Sequence, residues 1–185
     1  MLTHRLFFAM WPAVADQAAL ADAAKPVMDS ARGGRVVPCE NLHLTLAFLG
    51  SVPEASLATL RSLAREIEST EPHLRIVLDR IDYWRRPEIL CATASAPPSA
   101  ASDLSESLKR VLVAARFTPD LKPFRAHVTL ARKVRDATGP LVLPAVTWTF
   151  NAFTLVESRT DPSGSLYSAV DSWALCKPRG ATEIG

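Results

Sequence analysis

Apolar and polar positions follow two periods along the chain, and the places where one gives way to the other outline the elements. Leu6 to Trp11 is a short apolar run ended by Pro12, which predicts a buried first strand. Ala13 to about Ser30 is alanine-rich, has helical apolar spacing and carries Asp16 near its start, so it predicts a helix. Arg32-Gly33-Gly34-Arg35 reads as a flexible basic turn, after which Val36 and Val37 lead to Pro38. Asn41 to Leu49 alternates as a strand and is closed by Gly50 and Pro53. Glu54 to Ser69 predicts a second helix, with Leu57, Leu60, Leu63, Ala64 and Ile67 on one face. Leu74 to Tyr83 and Ile89 to Ser95 predict strands joined by a hairpin-like connection from Trp84 to Glu88. Pro97-Pro98 breaks the chain, and Ser99 or Ser102 opens a third helix to about Arg116, striped with Leu104, Leu108, Val111 and Leu112. Phe124 to Arg132 is extended again. Val146 to Glu157 and Ser165 to Leu175 predict a final pair of strands, separated by Asp161-Pro162-Ser163-Gly164, and a loose tail follows over 177–185.

This mixed order places the chain in the α+β class. A pattern inside two of the strands adds a relation between its halves. His43-Leu44-Thr45-Leu46 recurs as His127-Val128-Thr129-Leu130, each copy reading His, apolar, Thr, apolar. Side chains two apart in a strand share a face, so each copy buries its apolar pair and presents His and Thr together on the other side. One copy alone describes no more than a half-buried strand with a histidine at a sheet edge. Two copies, each flanked by strands and a helix, predict two similar lobes facing each other across a cleft. No linker or low-complexity segment separates them, so residues 1–185 form one domain.

Composition changes this picture little. With 185 residues, 48% hydrophobic and 22% charged, the chain has the make-up of an ordinary globular domain with a sizeable core. A net charge of +2 gives no strongly basic coat and suits a pocket for one phosphate better than a groove for a long duplex. Cys39, Cys91 and Cys176 are odd in number and far apart, which argues against a disulfide framework and a thiolate zinc site and favours a reducing compartment. His4-Arg5 before the first apolar run, with Ala13-Val14-Ala15 after it, has the outline of a minimal signal peptide. The run is too short and is interrupted by Pro12, so a first strand is the better reading. No uninterrupted stretch approaches transmembrane length.

Two histidines on opposed strands suit hydrolysis of a phosphodiester without a metal. In-line displacement needs a base for the attacking water on one side of phosphorus and an acid for the leaving alkoxide on the other. Thr45 and Thr129 can donate hydrogen bonds to the non-bridging oxygens as charge builds. No spacing typical of metal ligands occurs. Arg132, five residues after His127, is within reach of a phosphate, and Arg125 lies on the same strand face as His127; solvated surface arginines are the alternative for both. Tyr83-Trp84-Arg85-Arg86 mixes rings and cations as base-stacking surfaces do, although packing of the two rings in the core is the better reading. His4 and His73 have no partner motif.

The paired His-x-Thr-x motifs resemble those of the 2H phosphoesterase superfamily, and above all its bacterial and archaeal RNA 2′,3′-cyclic phosphodiesterases, also named 2′-5′ RNA ligases. The similarity runs through Arg5-Leu6-Phe7-Phe8-Ala9, Glu40-Asn41-Leu42-His43-Leu44-Thr45-Leu46-Ala47-Phe48-Leu49-Gly50, Tyr83-Trp84-Arg85-Arg86-Pro87, His127-Val128-Thr129-Leu130-Ala131-Arg132, and Leu155-Val156-Glu157-Ser158 followed by Gly164 and Tyr167. It implies a bilobal fold of pseudo-twofold related antiparallel sheets with outer helices around a central cleft. It also implies hydrolysis of RNA 2′,3′-cyclic phosphate ends to 2′-phosphomonoesters, with ligation as the reverse. His43 would be the proton donor, His127 the proton acceptor, and Thr45, Thr129, Arg132, Arg125 and Tyr167 substrate-binding residues. No metal or other cofactor is implied. The expected partner is an RNA or nucleotide bearing the cyclic phosphate, acted on by a cytoplasmic monomer with no membrane association and no obligatory protein partner. One departure is Ala126, where relatives commonly carry proline before the second histidine; a looser approach strand with intact chemistry is expected. A non-catalytic nucleotide-binding module and an RNA-binding protein using the arginine and aromatic patch are the competing readings. The presence of both histidines weighs against the first, and the modest charge against the second.

Overall fold

The computed structural model describes residues 2–137, 142–161 and 164–176, so the expected tail from Lys177 lies outside the described residues. In chain order the elements are β1 (Thr3–Met10), α1 (Val14–Ser30), β2 (Arg32–Val36), β3 (Leu44–Pro53), α2 (Leu57–Arg65), β4 (Leu74–Trp84), β5 (Ile89–Thr93), α3 (Ser99–Ala114), β6 (His127–Asp136), β7 (Val142–Phe150), β8 (Ala152–Asp161) and β9 (Gly164–Ala174). They build two antiparallel sheets, ordered β3-β1-β8-β9 and β2-β6-β5-β4-β7.

The second half of β1, Leu6 to Met10, is all apolar because both of its faces are covered. Leu6, Phe8 and Met10 enter the main core, whereas Phe7 and Ala9 join Val156 in a smaller cluster on the other face, with Trp11, Phe48 and Tyr167 packed around it. α1 buries Gln17, Leu20, Ala24 and Val27, a single helical stripe, against β6 and β7. Trp148 fixes the start of α1 by donating its indole N–H to the Asp16 carbonyl at 2.9 Å. α2 and α3 pack on each other and on the first sheet. One contiguous core runs through both sheets, from Leu6 and Phe8 to Leu78, Leu130 and Trp148.

The structure departs from the sequence reading in several places. The lobes are not the two halves of the chain: β1, β3, β8 and β9 form the first sheet, and the N-terminal helix α1 packs on the second. The expected strand from Val146 to Glu157 is two strands in different sheets, broken at Asn151, whose carbonyl accepts the Leu175 N–H. The basic turn is the edge strand β2; Gly33 and Gly34 have positive φ, as a turn would, yet the backbone still pairs with β6. α2 is shorter than expected, opening with a 3-10 turn at Glu54–Ser56 and ending at Arg65, and beyond it the Ser69 N–H is tied to Leu175. Finally, β3 passes through Gly50, with φ of +71° where the register with β1 slips, and closes at Pro53.

Candidate active site

β3 and β6 each open at the motif. Leu44, Leu46, Val128 and Leu130 are buried, and His43, Thr45, His127 and Thr129 are half-buried on the opposite face, as strand alternation requires. The two histidines are held in the same way. His43 Nδ1–H donates to the Asn41 carbonyl at 2.7 Å, and His127 Nδ1–H donates to the Arg125 carbonyl at 2.8 Å. Each ring is thereby fixed in orientation and tautomer by the residue two before it, and each Nε2 is left without a protein partner among the described residues.

The perch of His43 is itself built. Gln17 of α1 donates its amide to the Glu40 and Leu42 carbonyls, both at 3.0 Å, on either side of Asn41. The Asn41 side chain donates to the Ser165 carbonyl of β9. The ring then stacks on Trp11 with centroids 5.1 Å apart and 3° between planes, and it contacts Phe7 at 4.9 Å and the edge of Tyr167 at 5.2 Å. On the other side, His127 packs against Trp84 at 4.8 Å, and the Arg125 guanidinium covers Trp84 at 5.6 Å. The segment before His127 lies outside β6. It is tied to the motif strand of the other lobe, with Asp120 N–H donating to the Phe48 carbonyl, and to α3 by Lys109, which donates to the Lys122 carbonyl. The Ala126 carbonyl accepts the Ala94 N–H, which anchors the approach to His127.

Two adjoining cavities share Thr45 and Phe48. The one on the His43 side has a volume of about 420 Å³ and is lined by Arg5, Phe7, Arg132, Ser158, Ser165 and Tyr167. The one on the His127 side, about 650 Å³, is lined by Trp84, Arg86, Lys122, Phe124 and Arg125 among others. Burial lowers His43 to about 4, and the positive charges of Arg132 and His127 add to it, against the Asn41 carbonyl. Burial also lowers His127, helped by Arg132 and Arg125 and opposed by the Arg125 carbonyl. A cleft that disfavours cations on both rings, lined by Arg5, Arg125 and Arg132, which form no ion pair among the described residues, is a site whose charge an anion would balance.

Every residue expected at the site from sequence falls on these two walls except Thr129. It stands in register with Cys91 of β5, a buried thiol that burial pushes up to about 12. The ring pair at Tyr83-Trp84 divides. Tyr83 packs against the core and donates to the Val134 carbonyl, whereas Trp84 lines the cleft, contrary to the core-packing expectation. Sequence reasoning missed Trp11, Phe7, Phe48 and Arg5 as site residues. Strand parity carried the signal for three of them, because Arg5, Phe7 and Trp11 alternate along β1 toward one face. His4 pairs with Glu157 at 2.7 Å, and His73 is exposed. The three cysteines are free. Among the described residues no group of three or more His, Cys, Asp or Glu side chains is placed to hold a metal ion. No helix among them is long and apolar enough to cross a membrane.

Two antiparallel sheets that set a His-x-Thr strand each on a shared cleft define a phosphoesterase of the two-histidine type, and comparison with known proteins agrees. Residues 12–91 match the model of the LigT-like phosphoesterases. The RNA 2′,3′-cyclic phosphodiesterase of Thermus thermophilus is 33% identical over 179 residues, covering 92% of this chain and 90% of the relative. That of Escherichia coli is 31% identical and covers 77% and 80%. The crystal structure of E. coli LigT complexed with 3′-AMP superimposes with a TM-score of 0.85 at 28% identity, covering 95% of this chain and all of that one. The chain belongs to the LigT-like phosphoesterase family.

Proposed function

We propose that this protein hydrolyses RNA 2′,3′-cyclic phosphodiester ends to 2′-phosphomonoesters, without a metal, by acid/base catalysis between His43 and His127. The observation that carries this reading is the matched pair of Nδ1-anchored imidazoles on facing lobes, each offering Nε2 to one cleft. In this scheme water attacks phosphorus as His127 Nε2 accepts its proton, and His43 Nε2–H gives a proton to the departing 3′ oxygen. The P–O bond to the 3′ oxygen breaks as the new P–O bond forms, so the product keeps its phosphate on the 2′ oxygen. Thr45 and Arg132 steady the non-bridging oxygens, with Thr129 in the matching position of the other motif. Arg125 and Tyr167 line the two sides for the nucleoside and its chain. The homologues named RNA 2′,3′-cyclic phosphodiesterase support the substrate. The E. coli relative's 3′-AMP complex supports a nucleotide in a cleft of this shape.

Burial depresses His43 strongly in the free protein, so its role as donor requires the substrate's phosphate, whose negative charge beside both rings favours their protonated forms. Water, at about 55 M, outcompetes a dilute 5′-hydroxyl, so hydrolysis dominates over the reverse joining of ends unless both ends are held together. The protein acts as a single cytoplasmic domain, monomeric and without an obligatory protein partner.

Substitution separates the two roles. His43→Ala and His127→Ala each lower turnover by at least about a hundredfold. A substrate whose 3′ leaving oxygen is replaced by sulfur needs no proton on departure, so it restores turnover to His43→Ala and not to His127→Ala. Rescue of His127→Ala instead would exchange the roles, and near-normal turnover in either variant would remove acid/base catalysis by this pair.

A further inference from the structure

Arg32-Gly33-Gly34-Arg35 is a motif that the catalytic reading leaves unused, and its place in the fold gives it one. β2 is the outer strand of the second sheet, and Arg35 stands opposite Arg132 in the β2–β6 register. Directly opposed residues of an antiparallel pair share a face. Arg132 lines the His43 side of the cleft, so Arg35 continues that face outward. Further along β6 the alternation breaks at Lys133, which has a φ of +59°: Val134 is fully buried in the core, and the next residue, Arg135, is exposed.

The two glycines permit this arrangement. A Cβ at Gly33 would stand 3.2 Å from Arg135 Cγ, so the stem of Arg135 lies flat across β2. A Cβ at Gly34 would come within 2.9 Å of Val134 Cγ2 and 3.0 Å of the Arg132 carbonyl, and both residues hold a φ that favours glycine. Arg132 and Arg35 are thus in register on the β2–β6 pair, and Arg135 lies over Gly33, two residues from Arg35 on β2. None of them forms an ion pair among the described residues. The neighbouring acids are Asp136, in register with Arg32, and Glu88, beside Ile89 across from Arg132; Lys133 adds a further cation. Charge on an edge strand also discourages edge-to-edge pairing, but that role does not call for cations gathered on the cleft face.

We propose that Arg35 and Arg135 form a phosphate track for the RNA strand that precedes the cyclic end, making the protein selective for oligonucleotides over cyclic mononucleotides. The inference rests on the proposed function for its substrate. An RNA held by its cyclic phosphate beside Arg132 carries one further anionic phosphodiester for each preceding nucleotide. Unpaired, exposed guanidiniums beside that point bind them with release of counterions and without reading sequence. A modest net charge is no obstacle, because the track is local.

The test compares a 2′,3′-cyclic mononucleotide with a cyclic-ended octanucleotide, in the wild-type protein and in the double variant Arg35→Ala/Arg135→Ala. The wild-type protein should favour the octanucleotide by roughly tenfold or more in kcat/KM. The double variant should lose most of that preference through KM while hydrolysing the mononucleotide at the wild-type rate. Binding of a 2′-phosphate-ended octanucleotide, followed by fluorescence anisotropy, should lose about 1.4 from the slope of log K against log salt, about 0.7 for each phosphate contact removed. An octanucleotide preference and salt slope equal in the two proteins would overturn the track, as would a wild-type protein with no length preference. If neither RNA is hydrolysed, it is the functional reading that fails, and the salt slope still decides the track.

Discussion

At the scale of single residues, the site turns on two imidazoles placed where water reaches them poorly. Trp11, Phe7 and Tyr167 enclose His43, and Trp84 flanks His127. Enclosure disfavours the charged form of each ring, most strongly at His43, and Arg132 acts on both in the same direction. The consequence for rate follows from the sign of these shifts. The dependence of kcat/KM on pH reports the free enzyme, where both histidines titrate below the usual 6.5. Its bell should therefore centre on the acid side of 6.5, falling as pH rises because the donor loses its proton. The bell for kcat should lie at higher pH, because bound phosphate favours the protonated rings. A kcat/KM optimum above pH 8 would contradict the burial argument. The motif histidines and threonines were legible because period-two alternation fixes which side chains share a face, and duplication marked the pair as more than an edge. Trp11 and Phe7 were hidden because an apolar run covered on both faces reads the same as one buried on a single face.

At the scale of elements, the histidines are as well placed as the segments before them. Gln17 is a buried polar residue on an otherwise apolar helix stripe, and it satisfies the two carbonyls that bracket Asn41. Gln17→Leu leaves both carbonyls without that donor, which costs on the order of 1–3 kcal/mol of stability for each one left buried and unpaired. Because Asn41 carries the acceptor for His43, the same change should lower kcat by roughly tenfold with KM nearly unchanged, as misplacement of a catalytic group does. Asn41→Ala, which frees the perch from β9, should act in the same direction. A lower melting temperature with kcat intact would show Gln17 to be structural only. Helices were legible to within a few residues wherever a long apolar stripe met a proline or glycine. β2 was not, because Gly-Gly between arginines carries only turn signals and its pairing with β6 is decided across the fold.

At the scale of the whole molecule, the chain weaves its lobes instead of folding them in turn. The first sheet draws on both ends of the chain, and the break at Asn151 sends β7 and β8 to different sheets. The α+β class and two lobes around a cleft were legible from the order of elements and the repeated motif. The interleaving was not, because periodicity says that a segment is a strand without saying which partner it takes. The interleaving brings β1, β3, β9 and β6 to one cleft, so that Arg132 of one lobe acts on His43 of the other. A site shared in this way is made only when both lobes close on it, which suits a reaction needing an acid and a base on opposite sides of one phosphorus atom. The most direct measurement is to incubate the protein, with EDTA present, with an oligonucleotide ending in a 2′,3′-cyclic phosphate, and to identify the product. The expected product is a 2′-phosphate, formed in undiminished yield despite the chelator and abolished by His43→Ala; a 3′-phosphate, or turnover that the chelator stops, would overturn metal-free attack with loss of the 3′ oxygen.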